Sequence, residues 1–175
     1  MQIILLGKMG AGKDTVADRI YWGYGFARFA FGRKVKEVAK ELFPGTYLAT
    51  LKPRGLLQAV GQKMREIDKD CWTDYVMRQT DGLRGNIVIT DCRYLNELEI
   101  AQKHGFIPVR IESTVANRYN RLLARDGVVE QHTDKHISET DLDGVKVPYT
   151  LDNNGTLEEL YTQVDGLIRR LGGQK

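Results

Sequence analysis

A glycine-rich run near the N-terminus constrains the fold more than any other feature of this sequence. Residues 7–15 read G-K-M-G-A-G-K-D-T and satisfy the pattern G-x-x-x-x-G-K. The run follows a short apolar stretch and precedes a segment with apolar residues at helical spacing, Val16, Ala17 and Ile20. Between a strand and a helix, such glycines let successive backbone N–H groups converge on phosphate oxygens. The run therefore predicts a nucleotide-binding loop rather than an incidental glycine-rich turn.

We expect this loop and the start of the next helix to hold the phosphates of ATP. Lys13 is placed to reach the β- and γ-phosphates as a point charge. The following position usually carries Ser or Thr, whose hydroxyl binds Mg²⁺, but here it is Asp14, followed by Thr15. Either Asp14 holds the metal, directly or through water, or other groups hold it and Thr15 contacts only phosphate. The predicted donor-binding residues of this run are Gly10, Ala11, Gly12, Lys13, Asp14 and Thr15.

Apolar runs of strand length alternate with helical periodicity along the chain. The predicted buried strands cover residues 3–6, 26–31, 86–90, 107–111 and 147–151. Among the helical segments between them, one carries the apolar face Leu57, Val60, Met64 and Ile67. The last helix is predicted to start at the capping box of Thr156 and Glu159. This alternation predicts an α/β fold with a parallel sheet and helices on both sides, in a single domain over 1–175.

Composition limits the partners and the compartment that we expect. The net charge of +3 suits anionic small molecules and is too small to indicate a nucleic-acid partner. Cys71 and Cys92 lack the spacing of a CxxC motif or zinc finger, which favours reduced thiols. The apolar run at residues 1–6 is too short for a signal peptide or a membrane span. We therefore expect a cytoplasmic protein that binds no membrane, as a monomer or homodimer.

A second candidate site element follows the strand predicted at residues 86–90. Asp91 stands at the carboxyl end of that strand, where ligands bind in doubly wound sheets. It is placed to orient the Mg²⁺ shell or the attacking oxygen, and Arg93 to grip an acceptor phosphate. The alternative is a strand-end aspartate that bonds only to its own loop.

Three arginines recur on one face of a helix predicted after residue 113. Arg118, Arg121 and Arg125 follow the spacing i, i+3 and i+7. We interpret the stripe as part of a lid over about 113–140, in which the guanidinium groups neutralise phosphoryl charge in the transition state. Arg121 and Arg125 are accordingly predicted to be catalytic, and Arg118 to bind ATP. The alternative is a solvated helix face.

Two further features allow a functional and a structural interpretation. His132 and His136, with Glu139 nearby, suggest zinc, but the H-E-x-x-H pattern is absent and a metal site is the less favoured reading. Trp72 suits a stacked base and a core position about equally.

Taken together, these elements resemble the deoxynucleoside monophosphate kinases of the bacteriophage type, within the nucleoside monophosphate kinase group of P-loop proteins. The phosphate loop is shared by many enzymes, whereas R-x-L-L-Q, R-E-I-D and D-x-R-x-x-N-E are more particular to this family. The resemblance rests on residues 7–15, 31–37, 54–61, 65–72, 90–97, 136–139 and 153–160. Arg33 and Lys34 depart from it, since they replace an acid and a proline and add positive charge.

The resemblance implies a three-layer α/β/α fold of the P-loop NTPase type, with a five-stranded parallel sheet. It implies transfer of the γ-phosphoryl group of ATP to a deoxynucleoside monophosphate, with Mg²⁺ held near Asp14 and Asp91. An acceptor-binding region over about 33–80 is implied as well. Asn154 and Gly155 would border the donor adenine. The implied acceptor-binding residues are Lys8, Lys36, Arg54, Gln58, Trp72, Arg93 and Glu97.

Two other functions remain open from the sequence. The loop is equally compatible with a kinase of the same chemistry that takes another acceptor, such as dephospho-coenzyme A, phosphomevalonate or a sugar-type alcohol. The many arginines favour a monophosphate, because an alcohol acceptor usually needs a base. A nucleotide-dependent switch is disfavoured, because the sequence lacks the guanine-reading element N-K-x-D.

Overall fold

A parallel five-stranded sheet forms the centre of the chain. The structure is a computed structural model that describes residues 1–49, 53–127 and 137–172. The strands lie in the order β2-β3-β1-β4-β5, and β1 is the middle strand of the sheet. Their bounds are β1 Gln2–Leu6, β2 Ala27–Phe29, β3 Ile87–Cys92, β4 Ile107–Glu112 and β5 Tyr149–Asp152. The α/β class and the five-stranded parallel sheet expected from the sequence are confirmed.

All five predicted strands differ from the observed bounds by two residues or fewer at each end, and β2 is shorter than predicted. Residues 26–31 were expected to form one strand, but β2 ends at Phe29 and Phe31 begins a helix. The predicted strand at 147–151 starts only at Tyr149. Pro148 precedes it, and proline has no N–H to donate to a strand ladder.

The chain divides into two compact units. The first comprises residues 1–28 and 84–175, and the second comprises residues 29–83. The helices of the first unit are α1 Lys13–Tyr24, α6 Leu95–Lys103, α7 Val115–Asp126, α8 Ile137–Thr140 and α9 Leu157–Arg170. Those of the second unit are α2 Phe31–Leu42, α3 Pro44–Leu48, α4 Arg54–Ile67 and α5 Cys71–Thr80.

The core of the first unit lies between the sheet and the helices α1 and α9. Ile3 and Leu5 of β1 point into it and are fully buried with Val16 and Val164. Ile4 alternates to the opposite face of the strand and is also fully buried, as both faces of a parallel sheet require. This packing fixes the carboxyl end of β1, from which the glycine-rich loop emerges.

Helix α9 begins as predicted from its capping box. The Thr156 hydroxyl accepts a hydrogen bond from the Glu159 backbone N–H at 3.2 Å, and the Glu159 carboxylate accepts one from the Thr156 N–H at 2.7 Å. Leu160, Val164 and Ile168 form part of the buried face of this helix. Leu157, at the first helical position, is 54% exposed and lies outside that face.

Helix α4 is present, but its predicted apolar face is not a buried one. Met64 is 38% exposed and Ile67 is 80% exposed, whereas the buried residue of this helix is Gly61. The Trp72 indole N–H donates to the Gly61 carbonyl at 3.1 Å, which connects α5 to α4 at the glycine.

Within the described part of the chain, no helix combines the length and the apolar character that crossing a bilayer requires.

Candidate active site

The glycine-rich loop joins β1 to α1 and is closed on itself. The Ala11 N–H donates to the Lys8 carbonyl at 3.1 Å, and helix α1 then starts at Lys13. Gly12 has a φ of 103°, which side-chain-bearing residues rarely adopt. A Cβ atom built there would lie 2.2 Å from Nδ2 of Asn153. This position therefore requires glycine for two independent reasons.

Lys13 lies inside the loop rather than on its surface. Its residue is 9% exposed, and the ammonium group donates to the carbonyls of Gly7 and Lys8, at 3.1 Å for Lys8. Burial, together with the nearby Arg93 guanidinium, lowers the pKa of Lys13 to about 8. Glu139, Asp14 and Asp91 act in the opposite direction. An anion bound beside the Lys13 ammonium would therefore interact with a cation that has little water around it.

Asn153 supports the loop from the end of β5 and was not predicted as a site residue. It is 6% exposed, and its side-chain amide donates to the Ala11 carbonyl at 2.7 Å. Its backbone N–H donates to the Glu112 carbonyl at 2.8 Å, which ties it to the end of β4. The sequence signal was its position at the end of a predicted strand, where polar side chains meet ligands or loops.

The arginine stripe of α7 is divided between the loop and the solvent. Arg118 is 5% exposed, and its guanidinium donates to the Met9 carbonyl at 3.3 Å. Arg121 donates to Ser113 Oγ at 2.9 Å and to the Asn153 carbonyl at 2.7 Å. It also lies 3.5 Å from the Gly10 carbonyl.

Arg125, one turn further along the stripe, pairs with Asp126 and is half exposed. In this structure Arg118 and Arg121 therefore brace the loop backbone and Arg125 does not. The transition-state role of the stripe stays a prediction, and part of the predicted lid lies outside the described residues.

Asp91, Arg93 and Glu97 gather where β3 turns into α6. Asp91 is half buried at the end of β3 and within electrostatic range of Lys13. The Glu97 carboxylate is 2% exposed and accepts from the backbone N–H groups of Arg93, at 2.8 Å, and Tyr94, at 3.2 Å. Glu97, predicted to bind the acceptor, thus caps the start of α6 and fixes the backbone of Arg93.

Glu139 of α8 joins the loop to Arg93 and is the second site residue that the sequence analysis missed. One carboxylate oxygen accepts from the Met9 N–H at 2.7 Å, and the other accepts from Arg93 Nη1 at 2.5 Å. Its side chain is 3% exposed. The available signal was its place in the segment 136–139 that carried the family resemblance, where it was considered only beside the histidines.

Asp14, the residue in the usual Ser or Thr position, pairs with Arg28 of β2. The Arg28 guanidinium bonds to Asp14 and, at 2.5 Å, to Asp18 one turn later on α1. The Asp14 side chain is 76% exposed. Its carboxylate is thus engaged in an exposed ion-pair cluster.

A magnesium ion nevertheless fits the donor chemistry of this site. Mg²⁺ in nucleotide sites takes one or two carboxylates and completes its shell with phosphate oxygens and water. The carboxylate of Asp91 and the hydroxyl of Thr15 have the right chemistry, and Asp14 is the further candidate once its ion pair is exchanged. Among the residues that the structure describes, no three His, Cys, Asp or Glu side chains form a metal cage by themselves.

The zinc hypothesis for His132 and His136 falls on positions outside the described residues.

Lys8 of the loop pairs with Asp143 at 2.9 Å, in an ion pair that remains partly exposed. The other predicted acceptor residues, Lys36, Arg54, Gln58 and Trp72, belong to the second unit. Lys36 is exposed on α2, whereas Arg54 and Gln58 are one turn apart on α4. Trp72 is 5% exposed with its N–H satisfied by Gly61, which is the core position considered from the sequence.

Asn154 and Gly155, predicted to border adenine, lie between β5 and α9. Asn154 Oδ1 accepts from the Thr114 N–H at 2.7 Å at the start of α7. Gly155 lines an open groove of about 700 Å³ with Thr156, Thr162 and Gln163. Asp152, Glu158 and Glu159 also line the groove and make it acidic. That lining suits a neutral or hydrogen-donating group better than a phosphate.

Three solved structures share this fold over almost the whole chain. TT1252 from Thermus thermophilus aligns with a TM-score of 0.64 at 19% identity, covering 98% of this chain and 99% of that one. A gluconokinase from Sinorhizobium meliloti 1021 aligns with 0.57 at 17% identity, covering 98% and 95%. A shikimate kinase from Acinetobacter baumannii aligns with 0.58 at 15% identity, covering 98% and 93%. At these identities the likeness establishes the fold alone.

Residues 3–139 match the AAA domain family AAA_18, and this span is well over half of the chain. The chain belongs to the AAA domain family. In this AAA domain, the matched span runs from β1 through the phosphate loop to Glu139.

One relative of this chain has the name of the enzyme family that the sequence resembles. It is the deoxynucleotide monophosphate kinase of Escherichia phage RB69, which is 27% identical over 122 residues. The match covers 66% of this chain but 44% of that relative, so the chain matches less than half the length of the phage enzyme. The resemblance expected from the sequence is confirmed.

Proposed function

We propose that this chain is a kinase that transfers the γ-phosphoryl group of ATP to a deoxynucleoside monophosphate. The observation that carries the proposal is one arrangement of three residues. Lys13 is buried in the phosphate loop, and Arg93 is held to the same loop through Glu139. Two cationic groups thus flank one loop, as transfer between two phosphates requires. The phage relative, which is named a deoxynucleotide monophosphate kinase, supports the proposal.

On the donor side, the loop backbone and Lys13 bind the phosphates of ATP. The N–H groups at the start of α1 provide donors and the positive end of the helix dipole. Lys13 exchanges its bonds to the Gly7 and Lys8 carbonyls for phosphate oxygens. Arg118 and Arg121 keep the loop carbonyls occupied from outside, so that the loop can present N–H groups to the phosphates.

On the acceptor side, Arg93 binds the phosphate of the monophosphate. A guanidinium group matches two phosphate oxygens at once, which orients the acceptor as well as attracting it. Lys8 adds charge at the start of the loop. The role of Lys36, Arg54 and Gln58 of the second unit as acceptor contacts stays a prediction from the sequence, and the buried position of Trp72 argues against direct stacking on a base.

The transfer itself needs positioning and charge stabilisation. An acceptor phosphate oxygen forms a bond to the γ-phosphorus while the bond from that phosphorus to the bridging oxygen of ADP breaks. The acceptor oxygen is already anionic at neutral pH, so no general base has to remove a proton. Lys13 and Arg93 stay cationic throughout and offset the charge that spreads over the transferring oxygens. Asp91 would hold a magnesium ion here, and the ion would supply positive charge that offsets the negative charge of the phosphates.

A panel of acceptors tests the proposal directly. ADP release from ATP is measured with each deoxynucleoside and ribonucleoside monophosphate, and with gluconate, shikimate, phosphomevalonate and dephospho-coenzyme A. Stimulation by at least one deoxynucleoside monophosphate, with the diphosphate recovered as product, is the expected result. ADP release that is independent of every acceptor would instead favour a nucleotide-dependent switch.

A kinase for a small hydroxyl-bearing acceptor is the second candidate. The observation that favours it is the carboxylate of Asp91, which lies within electrostatic range of Lys13 and has the chemistry of a base for a hydroxyl group. The same panel separates the two candidates. A response to gluconate or shikimate without a response to nucleotides would select the alcohol.

A further inference from the structure

We propose that Glu139 is a positioning residue that holds the Arg93 guanidinium at the mouth of the phosphate loop and thereby sets the affinity for the acceptor phosphate. This inference rests on the proposed function, since it assigns to Arg93 the phosphate of a deoxynucleoside monophosphate. It adds a role for a carboxylate that touches neither substrate in the mechanism above.

The contacts of Glu139 are those of a fixed bridge. Its two carboxylate oxygens accept from different elements, the Met9 N–H at 2.7 Å and Arg93 Nη1 at 2.5 Å. The side chain is 3% exposed, whereas Arg93 keeps 33% of its side chain exposed. Hydrogen bonds to a charged partner are shorter and stronger than neutral ones, particularly away from water. The buried carboxylate therefore orients the more exposed arginine, and not the reverse.

The short helix that carries Glu139 is itself anchored on two sides. Asp141, just after α8, accepts from the Leu95 N–H at 2.7 Å at the start of α6. Arg110 of β4 donates to the carbonyls of Leu142, at 3.1 Å, and Val145, at 2.7 Å. These contacts tie the segment around Glu139 to the sheet and to α6. The carboxylate consequently has a defined position from which to hold Arg93.

Arg93 is fixed at its backbone and at one end of its side chain. The Glu97 carboxylate accepts from its backbone N–H at 2.8 Å, while Glu139 binds Nη1. A guanidinium group has five N–H donors in a rigid fork. Among the described residues, the side-chain hydrogen bonds of Arg93 use Nη1 alone, so the other edge of the fork keeps its donors for a phosphate.

The effect of Glu139 should fall on the acceptor more than on ATP. Within the part of the chain that the structure describes, its bond to the loop backbone is at Met9. The remaining supports of the loop, from Asn153, Arg118 and Arg121, do not pass through Glu139. Without the carboxylate, the loop keeps these supports, whereas Arg93 loses the bond that orients its side chain. The repulsion between Arg93 and Lys13 is then no longer offset by the negative charge of Glu139.

Calorimetric titration of the full chain tests this separation. ADP and the deoxynucleoside monophosphate that the wild type binds best are titrated separately into the wild type, Glu139→Gln and Glu139→Asp. We expect Glu139→Gln to weaken monophosphate binding by at least about tenfold, the size typical of losing one charge-assisted hydrogen bond. ADP binding should change by less than about threefold. Glu139→Asp keeps the charge and should recover part of the loss.

Kinetics give a second readout that a purely structural role would not produce. The KM for the monophosphate should rise in Glu139→Gln while the KM for ATP stays close to that of the wild type. Glu99→Gln is the matched control, because it makes the same change at an exposed position of α6. Thermal unfolding of each variant verifies that the fold is retained.

The outcomes separate the inference from the proposed function. Equal losses of ADP and monophosphate affinity, or no loss of either, would overturn the role of Glu139. Tighter monophosphate binding in Glu139→Gln would overturn it too, since the carboxylate would then be a competitor for the phosphate site. A wild type that binds no deoxynucleoside monophosphate fails the proposed function in the first titration and takes the inference with it.

Discussion

The side-chain amide of Asn153 donates a hydrogen bond to the carbonyl of Ala11, 2.7 Å away and 142 positions earlier in the chain. The same amide nitrogen lies 2.2 Å from where a Cβ atom on Gly12 would be. The end of β5 is therefore fitted against the phosphate loop, and the loop's shape depends on a distant residue. Glycine at position 12 and asparagine at position 153 form one structural unit.

Replacing Asn153 by Ala should destabilise the protein and weaken nucleotide binding. The buried Ala11 carbonyl loses its donor, which costs about 1 to 3 kcal/mol of unfolding free energy. Chemical denaturation and ADP titration measure the two effects. Asn120→Ala is the control, because Asn120 is exposed on α7 and its replacement should be nearly neutral. Wild-type stability in Asn153→Ala would show that the hydrogen bond from Asn153 to Ala11 does not stabilise the phosphate loop.

Alanine should have opposite effects at two glycines. At Gly12 it meets both an unfavourable φ of 103° and the Asn153 amide, so we expect a loss of at least about 1 kcal/mol and of ATP binding. At Gly166, within α9, an added Cβ meets no atom within 4 Å. Alanine at that position should raise the unfolding free energy of the protein by about 0.5 to 1 kcal/mol. Denaturant midpoints compare the two variants, and equal signs would refute the packing argument.

Lys13→Ala should lower phosphoryl transfer by at least about a thousandfold, because it removes a preorganised cation from the transferring phosphates. The folded state should persist, as judged by circular dichroism and thermal unfolding. Substantial residual turnover in this variant would be incompatible with the proposed mechanism.

The lowered pKa of Lys13 predicts a specific pH dependence of stability. The ordinary pKa of a lysine is 10.5, and that of Lys13 in the folded protein is about 8. Below pH 8 both folded and unfolded states carry the charge, and the buried cation costs about 3 kcal/mol. As pH rises from 8 to 10.5 the folded state releases its proton first, so this cost disappears. The unfolding free energy of the wild type should therefore rise between pH 8 and 10.5. Lys13→Met should lack this rise, as measured by denaturation curves across that pH range.

The same group links nucleotide binding to a proton. Phosphates favour the charged lysine, so ADP binding at about pH 8.5 should take up a proton, and affinity should fall as pH rises above 8. Titration calorimetry in buffers of different ionisation enthalpy measures the uptake. Lys13→Met should show none of it, and an unchanged uptake in that variant would assign the proton to another group.

Asp91→Asn should raise the Mg²⁺ concentration needed for activity more than Asp14→Asn does. Both carboxylates lie within electrostatic range of Lys13, but Asp91 is half buried at the end of β3, whereas Asp14 is 76% exposed and bonded to Arg28. We expect the Mg²⁺ concentration required for half-maximal activity to rise at least about tenfold in Asp91→Asn, the size typical of a lost metal contact, and less than about threefold in Asp14→Asn. Activity as a function of Mg²⁺ concentration provides the comparison. The reverse order would make Asp14 the principal metal ligand.

The sequence by itself determined the features that local chemistry controls. The glycine pattern of residues 7–15, the apolar strands and the capping box at Thr156 depend on neighbours in the chain, and the structure confirms the loop between β1 and α1 and the start of α9. The α/β class followed from the alternation of strand and helix periodicity. Local chemistry also explains the error at β5, which starts at Tyr149 rather than at residue 147 because Pro148 has no N–H to donate.

The tertiary structure alone decided which distant polar groups meet. Asn153 and Glu139 bond to the phosphate loop across 142 and 130 positions, and spacing along the chain cannot reveal such pairs. The arginines of α7 look alike in sequence, yet Arg118 lies buried under the loop and Arg125 pairs with its neighbour. Burial and partners depend on how elements pack, because the side chains that satisfy a buried carbonyl come from whichever strand ends beside it.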